Sequence, residues 1–146
     1  LASGAFKAFL DGRQRVTLYD DVVPTLQRWN ARYKLVAVTN GNADIDRIGL
    51  GPYFEATVAA HALGVGKPDP RIFEHACDLI GVAPSRMLHI GDDLELDVQG
   101  ARSAGLHAAW LRRPDLGRAE QQRVLAAGMA EVAFSDLGAL DRSLSG

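Results

Sequence analysis

The sequence holds a single cysteine, Cys77, and that scarcity excludes several things at once. No intramolecular disulfide can form and no thiolate metal cluster can be assembled, which fits a reducing cytosol and sets the expectation of a cytoplasmic protein. The four histidines, His61, His75, His89 and His107, show none of the spacings of a zinc site. No apolar run approaches the ~20 residues that cross a bilayer, and no signal-peptide pattern opens the chain. An excess of either charge is missing too. Sixteen Lys and Arg stand against 18 Asp and Glu, a net charge of -2, so nothing draws the chain to nucleic acid or an anionic membrane. There is no repeat and no low-complexity segment. The first residue is Leu1 and not Met, so the start is expected to be processed or truncated.

What is present is apolar material for one core. The 146 residues suit one domain, and at 47% hydrophobic they read as globular. Ala2 to Leu10 is patterned as a short helix, followed by the polar link Asp11-Gly12-Arg13-Gln14-Arg15. Asp20 and Asp21 are helix-cap residues, Pro24 suits a first turn, and Val22, Val23, Leu26, Trp29 and Tyr33 recur at helical spacing. Lys34 to Val38 is a β-branched run ending at Thr39-Asn40-Gly41, which reads as a strand entering a polar turn. A short strand follows near Ala56 to Ala60, then the loop Gly64-Val65-Gly66-Lys67. Asp69-Pro70 caps a helix with the apolar face Ile72, Phe73, Ala76, Leu79 and Ile80, ended by Gly81. Met87 to Ile90 is a third strand, Val98 to Ala104 a helix closed by Gly105, and His107 to Leu111 a fourth strand. A helix from Arg118 to Ala127, a weak strand from Glu131 to Phe134 and a turn or helix from Asp136 complete the chain. Cys77, Trp29 and Trp110 are expected in the core, and His89 to pack or hydrogen-bond within its strand.

Strands alternating with helices predict an α/β fold with a parallel, Rossmann-like sheet and helices on both faces. Ligands of such sheets bind beyond the carboxyl ends of the strands. Thr39-Asn40-Gly41, Gly66-Lys67 and Gly91-Asp92-Asp93 each follow a predicted strand, so they converge on one rim. A hydroxyl, a lysine and the carboxylates Asp92, Asp93 and Asp97 suit a Mg²⁺ ion bridging to a phosphate, because this hard cation takes one or two carboxylates with waters and phosphate oxygens. The lysine and turn amides would offset the remaining phosphate charge. The bland alternatives are a turn with a helix cap for the aspartates and a solvated loop for Lys67.

The ordered segments Val38-Thr39-Asn40-Gly41, Gly66-Lys67-Pro68-Asp69-Pro70 and His89-Ile90-Gly91-Asp92-Asp93-Leu94-Glu95-Leu96-Asp97 resemble motifs II, III and IV of the haloacid dehalogenase-like (HAD) superfamily. The resemblance runs from about Asp20 to Pro114, and is nearest to phosphatases acting on flavin mononucleotide and a phosphorylated riboflavin precursor. It implies Mg²⁺-dependent hydrolysis of a small phosphorylated metabolite through an aspartyl-phosphate. Thr39 and Lys67 would be catalytic, and Thr39, Asn40 and Lys67 would bind the phosphoryl group. Asp92 would be a direct metal ligand, with Asp93 and Asp97 binding through water or orienting the loop.

The resemblance breaks at one place. Motif I, an Asp-x-Asp-x-Thr/Val on the central strand, does not occur before Thr39. Asp44-Ile45-Asp46 has the carboxylates but follows motif II with no apolar strand before it. Residues 1–15 are read as the remainder of a helical cap and its linker, and residues 16–146 as the core, so the chain alone is expected to be inactive. Two other functions stay open, a dehalogenase using the same nucleophile on carbon and a non-catalytic binding or assembly module. Without the motif I strand the sheet would carry a gap between the strands ending at Thr39 and Gly91. The edges would then close on each other, a second copy would donate a strand as a homodimer, or a further N-terminal segment would fill the slot.

Overall fold

The computed structural model describes residues 2–3, 20–40, 49–111, 133–134 and 136–145. Its centre is β2 (Val36–Thr39), whose four residues are all buried. A strand that is apolar on both sides is what a parallel sheet covered on both faces requires. Around it lie β1 (Ala2–Ser3), β3 (Ala56–Ala59), β4 (Leu88–Gly91), β5 (His107–Leu111) and β6 (Ala133–Phe134), and all the ladders are parallel. Two ladders form, β1-β2-β3 and β4-β5-β6, and β1 of the first lies against β4 of the second. The strand order therefore reverses between β1 and β4, and the crevice above such a reversal is where ligands bind in open α/β sheets.

The helical expectation for Ala2 to Leu10 is corrected at its start. Ala2 lies opposite Val36 and Ser3 opposite Ala37 as a parallel strand, while residues 4–10 fall outside the described residues. The open edge of β2 explains the change. Each backbone group left unpaired in that buried slot would cost about 1–3 kcal/mol, more than a short helix could return on its own. The slot expected to lack a strand is thus occupied over two residue pairs by the start of the same chain. Among the described residues no ladder joins β1 to β4.

The helices are α1 (Val22–Asn30), α2 (Ala60–Leu63), α3 (Pro70–Ile80), α4 (Gly100–Ser103) and α5 (Leu137–Ser145). Strand alternation divides the core into two. Val36, Val38, Ala108 and Trp110 face α3 residues Ile72, Phe73 and Ala76. Ala37, Ile90, Ala109 and Leu111 face Val22, Leu26 and Trp29 of α1 and Leu137 and Leu140 of α5. Both tryptophans and Cys77 are buried as expected. Leu79 is not, at 48% exposed. The buried stripe of α3 takes in Cys77, which turns its centre away from Leu79 and leaves that side chain at the margin.

Two local readings shift for nonlocal reasons. Asp69 caps α3 as expected, accepting from the Arg71 N–H at 2.9 Å. Asp21, at the start of α1, makes no side-chain bond to its own helix; its carboxylate accepts from the Leu137 N–H at 2.7 Å and caps α5. The helix expected from Val98 begins earlier, as a π-helical turn over Leu94–Gln99 that runs on into α4. The predicted helix from Arg118 to Ala127 lies outside the described residues.

At the outer face the Asp141 carboxylate adds a second tie between α5 and α1. Trp29 Nε1 donates to Asp141 Oδ1 at 2.8 Å, and Arg28 Nε donates to Asp141 Oδ2 at 2.8 Å. Replacing Asp141 by Ala leaves the buried indole N–H without its acceptor, and urea denaturation is expected to show a loss of roughly 1–3 kcal/mol. Asp141→Asn, which keeps an acceptor for Trp29, should lose less.

Candidate active site

Three chain segments meet at the carboxyl rim, and each arrives there for a local reason. Thr39 ends β2 and is buried. Lys67 sits in the loop between α2 and α3, also buried. Asp92 follows β4, is buried, and its carbonyl accepts from the Trp110 indole at 3.3 Å. β2 and β4 lie on either side of β1, and hydrogen bonds from Asn40 to Lys67 and from Lys67 to Asp97 join the three segments.

The loop carrying Lys67 is held by Asn40. The Asn40 Nδ2 donates to the Lys67 carbonyl at 3.0 Å, and the Lys67 N–H donates to Asn40 Oδ1 at 2.7 Å. A side-chain amide used in both directions fixes a backbone as a ladder partner would. Gly66 permits it, because a Cβ there would stand 2.9 Å from Asn40 Oδ1. The Asn40 side chain is therefore engaged with the loop and not with the crevice.

The ammonium end of Lys67 is held separately. Its Nζ donates to Asp97 Oδ1 at 2.5 Å, with both side chains fully buried. His89 Nε2 lies 3.0 Å from the same oxygen, and the Asp93 N–H donates to Asp97 Oδ2 at 3.1 Å. An ionised carboxylate only accepts, so His89 carries its proton on Nε2. Burial would raise the Asp97 carboxyl, but the Lys67 charge and the His89 hydrogen bond outweigh it and hold Asp97 well below the ordinary value of 3.8. Burial lowers His89 from its ordinary 6.5, against the pull of Asp97, which favours the neutral ring.

The turn that delivers Asp97 is shaped by Asp93. Asp93 Oδ1 accepts from the N–H groups of Glu95 and Leu96 at 3.0 and 2.9 Å, and its carbonyl accepts from both Asp97 and Val98. This is the π-helical turn, and such turns recur at functional sites. It turns Asp97 and Val98 inward together, both buried. A Cβ on Gly91 would collide with Asp97 Cγ and Cβ, so that glycine is the space into which the carboxylate folds.

The three aspartates grouped by sequence are thus separated by role. Asp97 faces inward to Lys67 and His89, Asp93 caps its own turn, and Asp92 stands at the strand end. Among the described residues no three His, Cys, Asp or Glu side chains form a metal-holding group. A Mg²⁺ ion fits the donor set as part of its shell, with Asp92 as the carboxylate and waters, phosphate oxygens and a carboxylate from elsewhere completing it. His89, expected to pack or hydrogen-bond within its strand, packs against Phe73 and hydrogen-bonds to Asp97. The segment Asp44-Ile45-Asp46 lies outside the described residues.

A model of the haloacid dehalogenase-like hydrolase family matches residues 3–105. The chain belongs to that family. Among its relatives, a 5-amino-6-(5-phospho-D-ribitylamino)uracil phosphatase of Escherichia coli is 37% identical over 76% of this chain and 47% of its own length. A phosphoserine phosphatase of Thermus thermophilus is 37% identical over 73% of this chain and 45% of its own. Among solved structures, a 2-haloacid dehalogenase from Pseudomonas syringae superposes with a TM-score of 0.77 at 34% identity, covering 96% of this chain and 58% of that one. The chain therefore spans about half the length of the phosphatases it matches. Its α/β architecture is that of the HAD family. Among the described residues no helix is long and apolar enough to cross a membrane.

The buried pair gives the stability of this HAD core a defined acid limb. The unfolded chain protonates Asp97 near its ordinary value of ~3.9, whereas the folded chain resists protonation until lower pH. The contribution is complete above that value and is lost as the pH falls through the folded one. Urea denaturation from about pH 5 to about pH 2.5 should show stability declining in the parent, and Asp97→Asn should flatten that decline while lowering stability near neutral pH.

Proposed function

We propose that this chain supplies the phosphoryl-binding rim of a Mg²⁺-dependent HAD phosphomonoesterase that acts on a small phosphorylated metabolite through an aspartyl-phosphate. The observation that carries the reading is the fixing of Lys67, anchored at its backbone by Asn40 and at its ammonium by Asp97. A fixed cation suits a phosphoryl group, whose charge must be offset as it transfers. Thr39 would hydrogen-bond a phosphoryl oxygen. Asn40 would contribute through its backbone amide, since its side chain is engaged with Lys67. Asp92 would hold the metal, and Asp93 and Asp97 would shape the loop around it. Mg²⁺, when bound, would neutralise charge on the phosphoryl oxygens.

Covalent hydrolysis further needs one aspartate to attack phosphorus and another to protonate the leaving oxygen, after which water releases phosphate from the acyl-phosphate. Those two residues are the family's motif I, which no segment before Thr39 provides. The phosphatase names among the relatives support the phosphoryl substrate class. The likeness to the Pseudomonas dehalogenase favours a second reading, attack of the same nucleophile on a carbon–halogen bond. The Asp92-Asp93 loop argues for the phosphatase, because displacement at carbon calls for no metal-binding carboxylates.

Two measurements test this. The purified chain with Mg²⁺ and an aryl phosphate should show no turnover above buffer; turnover that Asp44→Asn abolishes would overturn the assignment of the missing nucleophile. Titration with Mg²⁺, followed through backbone amide resonances, should give weak binding centred on Asp92. Binding that persists unchanged in Asp92→Ala would remove the metal assignment.

A further inference from the structure

His89 is fully buried on β4, next to the machinery just described yet outside the roles assigned to it. Its ring is fixed from two sides. The Phe73 ring meets it edge-on, with centroids 4.9 Å apart and planes at 79°, and Asp97 Oδ1 takes up its Nε2. Among the described residues its Nδ1 has no hydrogen-bond partner. A buried polar atom without a partner costs stability, which an apolar residue of similar size would not incur. Among the described residues the hydrogen bond that offsets this cost is the one to Asp97, whose same oxygen also takes the buried Lys67 ammonium.

We propose that His89 is a positioning residue, an Nε2–H donor that locks the Asp97 carboxylate so that its Oδ1 holds the Lys67 ammonium in place. The geometry explains why a second donor is required. With the Asp93 N–H alone on Oδ2, the carboxylate could swing about that single bond and carry Lys67 with it. With His89 on Oδ1 the carboxylate is fixed at both oxygens, and Lys67 is left one position to occupy. The consequence for phosphoryl transfer rests on the reading of Lys67 given above, whereas the linkage from His89 through Asp97 to Lys67 does not.

The test uses the chain itself and needs neither turnover nor metal. Lysine acetylation by acetic anhydride at a fixed pH near neutral, quantified by peptide mass spectrometry, reports how firmly each ammonium is held. Lys34, which donates to the Ile80 carbonyl, serves as the internal control for an intact fold. His89→Leu should raise the labelling rate of Lys67 about tenfold, the scale of one lost hydrogen bond to a charged group, with Lys34 unchanged. His89→Gln, whose side-chain amide nitrogen reaches the place of Nε2, should stay within about twofold of the parent on the same scale. In an Asp97→Asn background His89→Leu should add nothing, since the effect passes through that carboxylate. Unchanged Lys67 labelling in a folded His89→Leu chain overturns the proposal, as does an additive effect in the Asp97→Asn background. If His89→Leu does not fold, the comparison passes to His89→Gln against His89→Asn, whose shorter amide reaches only the place of Nδ1. Parent-like protection in Gln alone supports the proposal, and equal labelling in the two overturns it. Failure of the phosphatase reading would appear separately, as absent Mg²⁺ binding with the labelling pattern intact.

Discussion

A lysine ammonium cannot be taken out of water without a partner, and the rest of the site follows from that constraint. Lys67 is fully buried, so Asp97 must be ionised and within reach. For Asp97 to reach inward, the chain after β4 has to widen into a π-helical turn, which Asp93 holds open by capping it. For the carboxylate to fit, position 91 has to be glycine. For the lysine backbone to stay in register, Asn40 has to grip it on both sides, which again requires a glycine, at 66. Residues of three separate segments thus serve one ion pair.

That dependence explains what could be read from the sequence. Strand positions were legible because a parallel sheet covered on both faces demands apolar runs, and His107 to Leu111 is a strand over its whole predicted length. The rim was legible because strands that share a direction deliver their ends to the same side. The functions of individual side chains were less so. Asp21 reads as a cap for the helix beside it, yet it caps α5, 116 residues away. Asn40 reads as a phosphate ligand, yet its side chain belongs to a loop 27 residues on. Asp92, Asp93 and Asp97 read as one carboxylate group because they are close in sequence. The turn that separates them is not a regular helix, and the inward direction it gives Asp97 does not follow from spacing alone. Ala2 and Ser3 read as helix because nothing local announces the open edge that recruits them.

HAD membership and reaction type rest on different parts of the molecule. The core that carries the family's later motifs is common to phosphatases and to a dehalogenase of similar fold. On the proposed reading, the charge at the rim is what bears on the choice of chemistry. A lysine and a hydroxyl can serve an anionic substrate of either kind, whereas carboxylates placed beside the crevice would repel it unless a cation intervened. Asp92 is therefore the residue whose presence weighs most on the choice between them.

The bonds that tie α5 to α1 and to Asp21 have a consequence for how the chain matures. Leu137 and Asp141 meet partners that were synthesised more than a hundred residues earlier, at Asp21 and Trp29. During translation α1 must wait, its Trp29 indole without its acceptor, until α5 has left the ribosome. Contacts of such separation are slow to close and expose apolar surface in the interval. The outer layer is thus completed only once α5 is made, and a nascent chain stalled before α5 would present the face of Val22, Leu26 and Trp29 to whatever chaperone or neighbouring polypeptide is at hand.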